Sequence, residues 1–132
     1  MAKKETIFVF GAHTDDFVIG AGGTIAKYIE EGKKVISVVF SLGELSHFWL
    51  KDHVIKGIRS QETLVAGELM GCETIFLKLG DQKIQEDYDK YHLEEKLLKI
   101  LNKEKPTKIL IKTFIYLPPD KLDLTLLYNI LY

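Results

Sequence analysis

Gly11-Ala12-His13-Thr14-Asp15-Asp16 places an imidazole and two adjacent carboxylates directly after an apolar run. A histidine nitrogen and a carboxylate oxygen three residues later can bind one face of a divalent cation such as Zn²⁺ when the intervening backbone turns. Adjacent side chains diverge, so one of Asp15 and Asp16 can coordinate while the other stays unligated and serves as a general base toward water. A hydrolytic zinc site of this kind takes three protein ligands and leaves one position open. The plainer alternative is local: the two aspartates cap the following turn and His13 hydrogen-bonds nearby.

The elements that must position these residues alternate along the chain. Thr6-Ile7-Phe8-Val9-Phe10 is short, β-branched and aromatic, as a central strand covered on both faces requires. The polar cluster then falls at a strand's carboxyl end, where open α/β sheets form their ligand crevices. Gly20-Ala21-Gly22-Gly23 opens a helix through Ile25, Tyr28 and Ile29 that closes at Gly32. Those glycines could cradle a phosphate, yet they lack the dinucleotide spacing, and no acidic residue directly follows the second strand. The simpler expectation is a sharp turn that brings the helix close to the strand ends. Val35 to Phe40 reads as a second strand. His53 to Met70 reads as a helix with Ile58, Leu64, Val65 and Leu69 on one face and Gly71 at its end. Thr74 to Leu79 is a third strand, and a helix through Leu93, Leu97, Leu98 and Leu101 leads to Pro106. Lys108 to Ile111 is a fourth strand, and Leu122 to Tyr132 a final helix. The alternation predicts βαβ units around a parallel sheet with right-handed crossovers.

Composition narrows the class. The 132 residues, 46% hydrophobic and 28% charged, fit one domain over residues 1–132. A net charge of −1 and dispersed lysines argue against a nucleic-acid partner. The single Cys72 excludes an internal disulfide and fits a reducing compartment. No apolar run approaches the roughly 20 residues of a membrane span, and the N-terminus lacks a signal-peptide pattern, so a cytoplasmic protein is expected.

The segment Ala12-His13-Thr14-Asp15-Asp16-Phe17 through Gly20-Ala21-Gly22-Gly23-Thr24-Ile25-Ala26 resembles the signature of the LmbE/PIG-L zinc-dependent N-deacetylases, Ala-His-Pro-Asp-Asp-Glu before a glycine-rich stretch. The similarity continues through Ser41-Leu42-Gly43-Glu44, Arg59-Ser60-Gln61-Glu62, Ala66, Gly71 and Leu79-Gly80-Asp81, about 80 residues in the family's order. The resemblance implies a Rossmann-like three-layer α/β/α fold with a mostly parallel sheet. It also implies a bound Zn²⁺ or other divalent cation and removal of acetyl groups from N-acetylglucosamine-type amino sugars or their conjugates. On it, His13 and Asp16 are metal ligands, and Asp15 is the base that takes a proton from water at the metal. Arg59 stands where the family contacts substrate, and its planar five-donor fork suits sugar hydroxyls or phosphate better than lysine does. Glu44 and Glu62 are further candidates, Glu44 for substrate binding, set against the plainer readings of a solvated loop and a helix surface; Asp81 either orients the site or caps a turn, the turn being the simpler expectation.

The departures are specific. Thr14 replaces the family's proline and Phe17 its glutamate. The later His-Pro-Asp-His, source of the third metal ligand, has as counterparts only Lys121-Leu122-Asp123-Leu124 or Pro118-Pro119-Asp120-Lys121, neither with a histidine. The chain therefore matches the N-terminal part of the family domain. His47, His53 and His92 match no family position. Two other functions stay open. One is an inactive binding or scaffold derivative of the fold. The other is a phospho-accepting receiver-like domain using paired carboxylates after the first strand, with Asp81 and Lys112 beside them. The apolar Phe114, Tyr116, Leu126, Leu127, Tyr128, Ile130, Leu131 and Tyr132 suggest a homo-oligomer, or a core closed by the last helix.

Overall fold

A computed structural model describes residues 3–111 and the backbone of Tyr116–Leu117. Within it β1 (Thr6–Gly11), β2 (Lys34–Ser41), β3 (Glu73–Leu79), β4 (Lys108–Ile111) and β5 (Tyr116–Leu117) form one sheet in the order β3-β2-β1-β4-β5. The first four strands run parallel, and β5 pairs antiparallel with β4. The helices are α1 (Asp16–Glu30), α2 (Asp52–Met70), α3 (Ile84–Lys90) and α4 (Leu93–Glu104).

The period-two alternation of the strands divides the core between the two faces of the sheet. Phe8, Phe10, Ile36, Val38, Phe40 and Leu77 pack with Ile84, Leu93 and Leu97 of α3 and α4. Ile7, Val9, Val35 and Val39 pack on the other face with Phe17 and Ile25 of α1, and with Cys72. This is the three-layer α/β/α arrangement with a mostly parallel sheet. A receiver of the flavodoxin type flanks its first strand with the second and third; here β1 lies between β2 and β4, the Rossmann order.

Two expectations are corrected, and one element is added. Helix α1 begins at Asp16, four residues before the glycine run, so Gly20 to Gly23 lie inside the helix. They neither make the turn nor sit at the helix N-terminus. The apolar stripe of α2 is not its core face: Ile58, Leu64 and Val65 are about half exposed and Leu69 is 83% exposed. The residues that α2 buries are Ile55, Thr63 and Gly67. Small side chains let this helix lie close to β3, where a Cβ on Gly67 would stand 2.7 Å from Thr74 Oγ1. Between β3 and α4 the short helix α3, which carries too little periodicity to read from sequence, covers the sheet with Ile84. The expected helix over Leu122 to Tyr132, both candidate counterparts of the later family motif, Lys112 and the side chains of the apolar tail lie outside the described residues.

Candidate functional site

Because β1, β2 and β3 run parallel, the loops that leave them meet at one edge of the sheet. β1 delivers His13, Thr14, Asp15 and Asp16; β2 delivers Gly43 and Glu44; β3 delivers Gly80 and Asp81. A backbone hydrogen bond from Ser41 N–H to the Ala12 carbonyl, 2.8 Å, ties the first two loops together just past the paired strands.

The first loop turns sharply. Asp16, the first residue of α1, folds its carboxylate back so that Oδ2 accepts the His13 backbone N–H at 3.0 Å. Gly11 makes room for this turn, since a Cβ there would lie 2.9 Å from Asp16 Cβ. The positive end of the α1 dipole also favours a carboxylate at this first turn. Asp15, at the N-cap position, makes no side-chain cap. It leans outward, its Oδ2 3.9 Å from Arg59 Nη1, with the side chain 47% exposed. The two carboxylates therefore divide as adjacent residues should: Asp16 closes the turn, and Asp15 faces the open side.

Arg59 comes from the second turn of α2, its side chain 27% exposed. Its guanidinium also donates from Nη2 to Ser46 Oγ at 3.4 Å. Gly43, at φ +67, packs between Arg59 and the His13 ring; a Cβ there would be 3.7 Å from each. Only glycine adopts that left-handed backbone without strain. The Thr63 hydroxyl lies 2.7 Å from the Arg59 carbonyl and 3.5 Å from the Thr14 carbonyl, so it joins α2 to the first loop.

Asp81 is more than a turn cap. Its Oδ1 lies 3.1 Å from His13 Nε2, and its Oδ2 accepts Leu45 N–H at 3.2 Å. Its own backbone N–H donates to Glu44 Oε1 at 3.0 Å. Glu44 is buried rather than solvated, with Lys56 Nζ 3.6 Å from the same oxygen. Glu44 Oε2 is buried and finds no hydrogen-bond partner among the described residues, and the same holds for Thr14 Oγ1, where the family has proline. Glu62 is exposed, as expected for helix surface. Phe17, in the place of the family's glutamate, is 2% exposed in the core beneath α1, so that position contributes packing instead of charge. An apolar groove between α1 and β4 is lined by Val9, Phe17, Ala21 and Leu110, with Asp16 also among its lining residues.

The structure thus brings together His13, Asp15, Asp16, Arg59 and Glu44, sets Asp81 against His13 instead of leaving it a turn cap, and adds Gly11 and Ser46. The first-loop residues were legible because they follow β1 directly. Asp81 lies 68 residues from His13, and only the parallel pairing of β1 with β2 and of β2 with β3 makes them neighbours. No three His, Cys, Asp or Glu residues gather to hold a metal ion among the described residues. In donor chemistry His13 and Asp16 suit two positions of a zinc site, an imidazole and a carboxylate.

A Rossmann-like sheet with such a cluster at its carboxyl edge defines a class of α/β proteins whose ligand sites lie on the loops that leave the strand ends. The family model of GlcNAc-PI de-N-acetylase, PIG-L, matches residues 8–120, and the chain belongs to that family. It is 32% identical over 93 residues to 4-oxalmesaconate hydratase of Pseudomonas putida, covering 65% of this chain and 36% of that protein. It is 30% identical over 82 residues to the uncharacterized deacetylase YaiS of Escherichia coli, covering 61% and 41%. Among solved structures it is similar to the N,N'-diacetylchitobiose deacetylase of Pyrococcus horikoshii, with TM-score 0.71 and 30% identity over 80% of this chain and 39% of that one. The chain spans about two fifths of the length of the curated relatives it matches.

Proposed function

We propose that this chain carries the strand-end half of a metal-dependent N-deacetylase site that acts on N-acetylglucosamine-type amino sugars or their conjugates. The observation that carries this reading is the division of labour after β1: Asp16 turned in beside His13, and Asp15 left half exposed 3.9 Å from Arg59. His13 and Asp16 would hold the divalent cation, with a third ligand from outside the described residues. A zinc ion bound there would supply Lewis acidity toward an amide carbonyl and toward water. Asp15 takes the proton from the attacking water and passes it toward the departing amine. Arg59 binds substrate oxygens with the donors that Ser46 does not occupy. Glu44, the other substrate-binding candidate, acts from behind the site, because its Oε2 is buried and its Oε1 holds the Asp81 backbone N–H. The deacetylases among its relatives support this assignment.

The test uses the full chain. Zinc binding is measured by chelator competition, and acetate release is measured from N-acetylglucosamine conjugates. His13→Ala is expected to abolish zinc binding. Asp15→Asn is expected to keep zinc and lower kcat by about 10²–10⁴-fold, the usual worth of a general base. Zinc retained by His13→Ala overturns the ligand assignment; zinc binding without acetate release leaves the scaffold alternative standing. Light scattering on the same samples tests the homo-oligomer that the apolar tail suggests.

The identity with the hydratase favours a second reading: addition of water across a carbon–carbon double bond of a carboxylate-bearing substrate. Arg59 suits a carboxylate as well as a sugar, because its fork can pair with both oxygens. Turnover of 4-oxalmesaconate, followed by its loss of ultraviolet absorbance, in a preparation that releases no acetate would establish that chemistry instead.

A further inference from the structure

The Asp81 carboxylate is held from several sides at once. Its side chain is 12% exposed; Leu45 N–H fixes Oδ2, and Glu44 Oε1 fixes the Asp81 backbone. Asp87 Oδ2 accepts the Gly80 N–H at 2.7 Å, so α3 anchors the same turn. Oδ1 is thereby set 3.1 Å from His13 Nε2. A carboxylate can only accept, so a neutral imidazole in this contact carries its hydrogen on Nε2 and keeps its lone pair on Nδ1. By covalent structure Nδ1 is the ring nitrogen nearer the His13 backbone, and that backbone is where Asp16 is bound.

We propose that Asp81 is a positioning residue: it locks His13 as the Nε2–H tautomer, so that the nitrogen offered to a divalent cation beside Asp16 is Nδ1. A carboxylate behind a ligating histidine fixes the ring's orientation and raises its basicity, and losing such a partner costs about 10–100-fold in metal affinity. The inference rests on His13 being a ligand, but its first consequence, the tautomer, exists without metal.

The full chain, labelled with ¹⁵N in its histidines, is examined by long-range ¹H–¹⁵N correlation at neutral pH without metal, with His13 assigned by its loss in His13→Gln. The wild type is expected to show the Nε2–H pattern at His13. Asp81→Ala is expected to give a mixture of tautomers and to weaken zinc about 10–100-fold in chelator competition. Asp81→Asn, which keeps an acceptor oxygen, is expected to restore the Nε2–H pattern and part of the affinity. If Asp81→Ala fails to fold, the wild-type and Asp81→Asn spectra decide. An Nδ1–H pattern in the wild type, or an unchanged pattern in folded Asp81→Ala, overturns the proposal. Zinc retained in His13→Ala overturns the ligand reading instead, because the tautomer is measured in its absence.

Discussion

Asp15 and Asp16 carry the same carboxylate and differ only in where the turn sends them. Asp16 is spent on the His13 backbone and Asp15 is not, a difference that follows from the start of α1 at Asp16. Gly11 is the residue on which this turn depends. In Gly11→Ala the added methyl meets Asp16 Cβ, an atom one bond from the backbone, so the first turn of α1 must shift rather than a side-chain tip. Overpacking of this kind costs about 1–3 kcal/mol. The variant is expected to melt lower in urea and to lose zinc affinity in the chelator assay; wild-type affinity would show that Asp16 tolerates the displacement.

Two glycines of α2 separate intrinsic helix propensity from packing. At Gly57 a Cβ meets nothing within 4 Å, so Gly57→Ala is expected to stabilise by about 0.4–1 kcal/mol through a less flexible unfolded chain. At Gly67 the same change drives a methyl into Thr74 Oγ1 at 2.7 Å and toward the Cys72 carbonyl at 3.4 Å. Thr74 is itself held by the Ser37 hydroxyl, 3.1 Å away, and cannot turn aside without losing that bond. The overpacking term, about 1–3 kcal/mol, exceeds the helix gain of about 1, so Gly67→Ala is expected to destabilise. Urea midpoints of the two variants should move in opposite directions; a shift of both toward stability would mean that α2 does not lie close to β3. The same close approach explains why the apolar stripe of α2 misled the sequence reading. Periodicity finds an apolar face, but a helix seated on a strand through threonine and glycine turns that face outward.

Across the whole molecule, the end opposite the site is tied by Lys34 at the start of β2, which pairs with Glu104 of α4 at 3.0 Å and Glu73 of β3 at 3.3 Å. The hydrogen bond to Glu104 is the largest cause that raises the Lys34 pKa above its ordinary value. The folded state therefore binds this proton more tightly than the unfolded chain. Its contribution is complete below the usual lysine pKa of about 10.4 and fades as pH rises beyond it. Lys34→Met is expected to cost under about 1 kcal/mol at pH 8, and the gap in melting temperature should narrow as pH rises through the lysine range; a gap that widens with pH would contradict the pairing. The strands, the alternation and the placement of His13, Asp15 and Asp16 at a strand's carboxyl end were written in the sequence, because buried β-branched runs and a polar cluster behind one of them are local patterns. Asp81 behind His13, Arg59 beside Asp15 and the inward face of α2 were settled only by tertiary structure. Each depends on parallel pairing and helix seating between segments tens of residues apart, and no local spacing encodes which loop ends will meet.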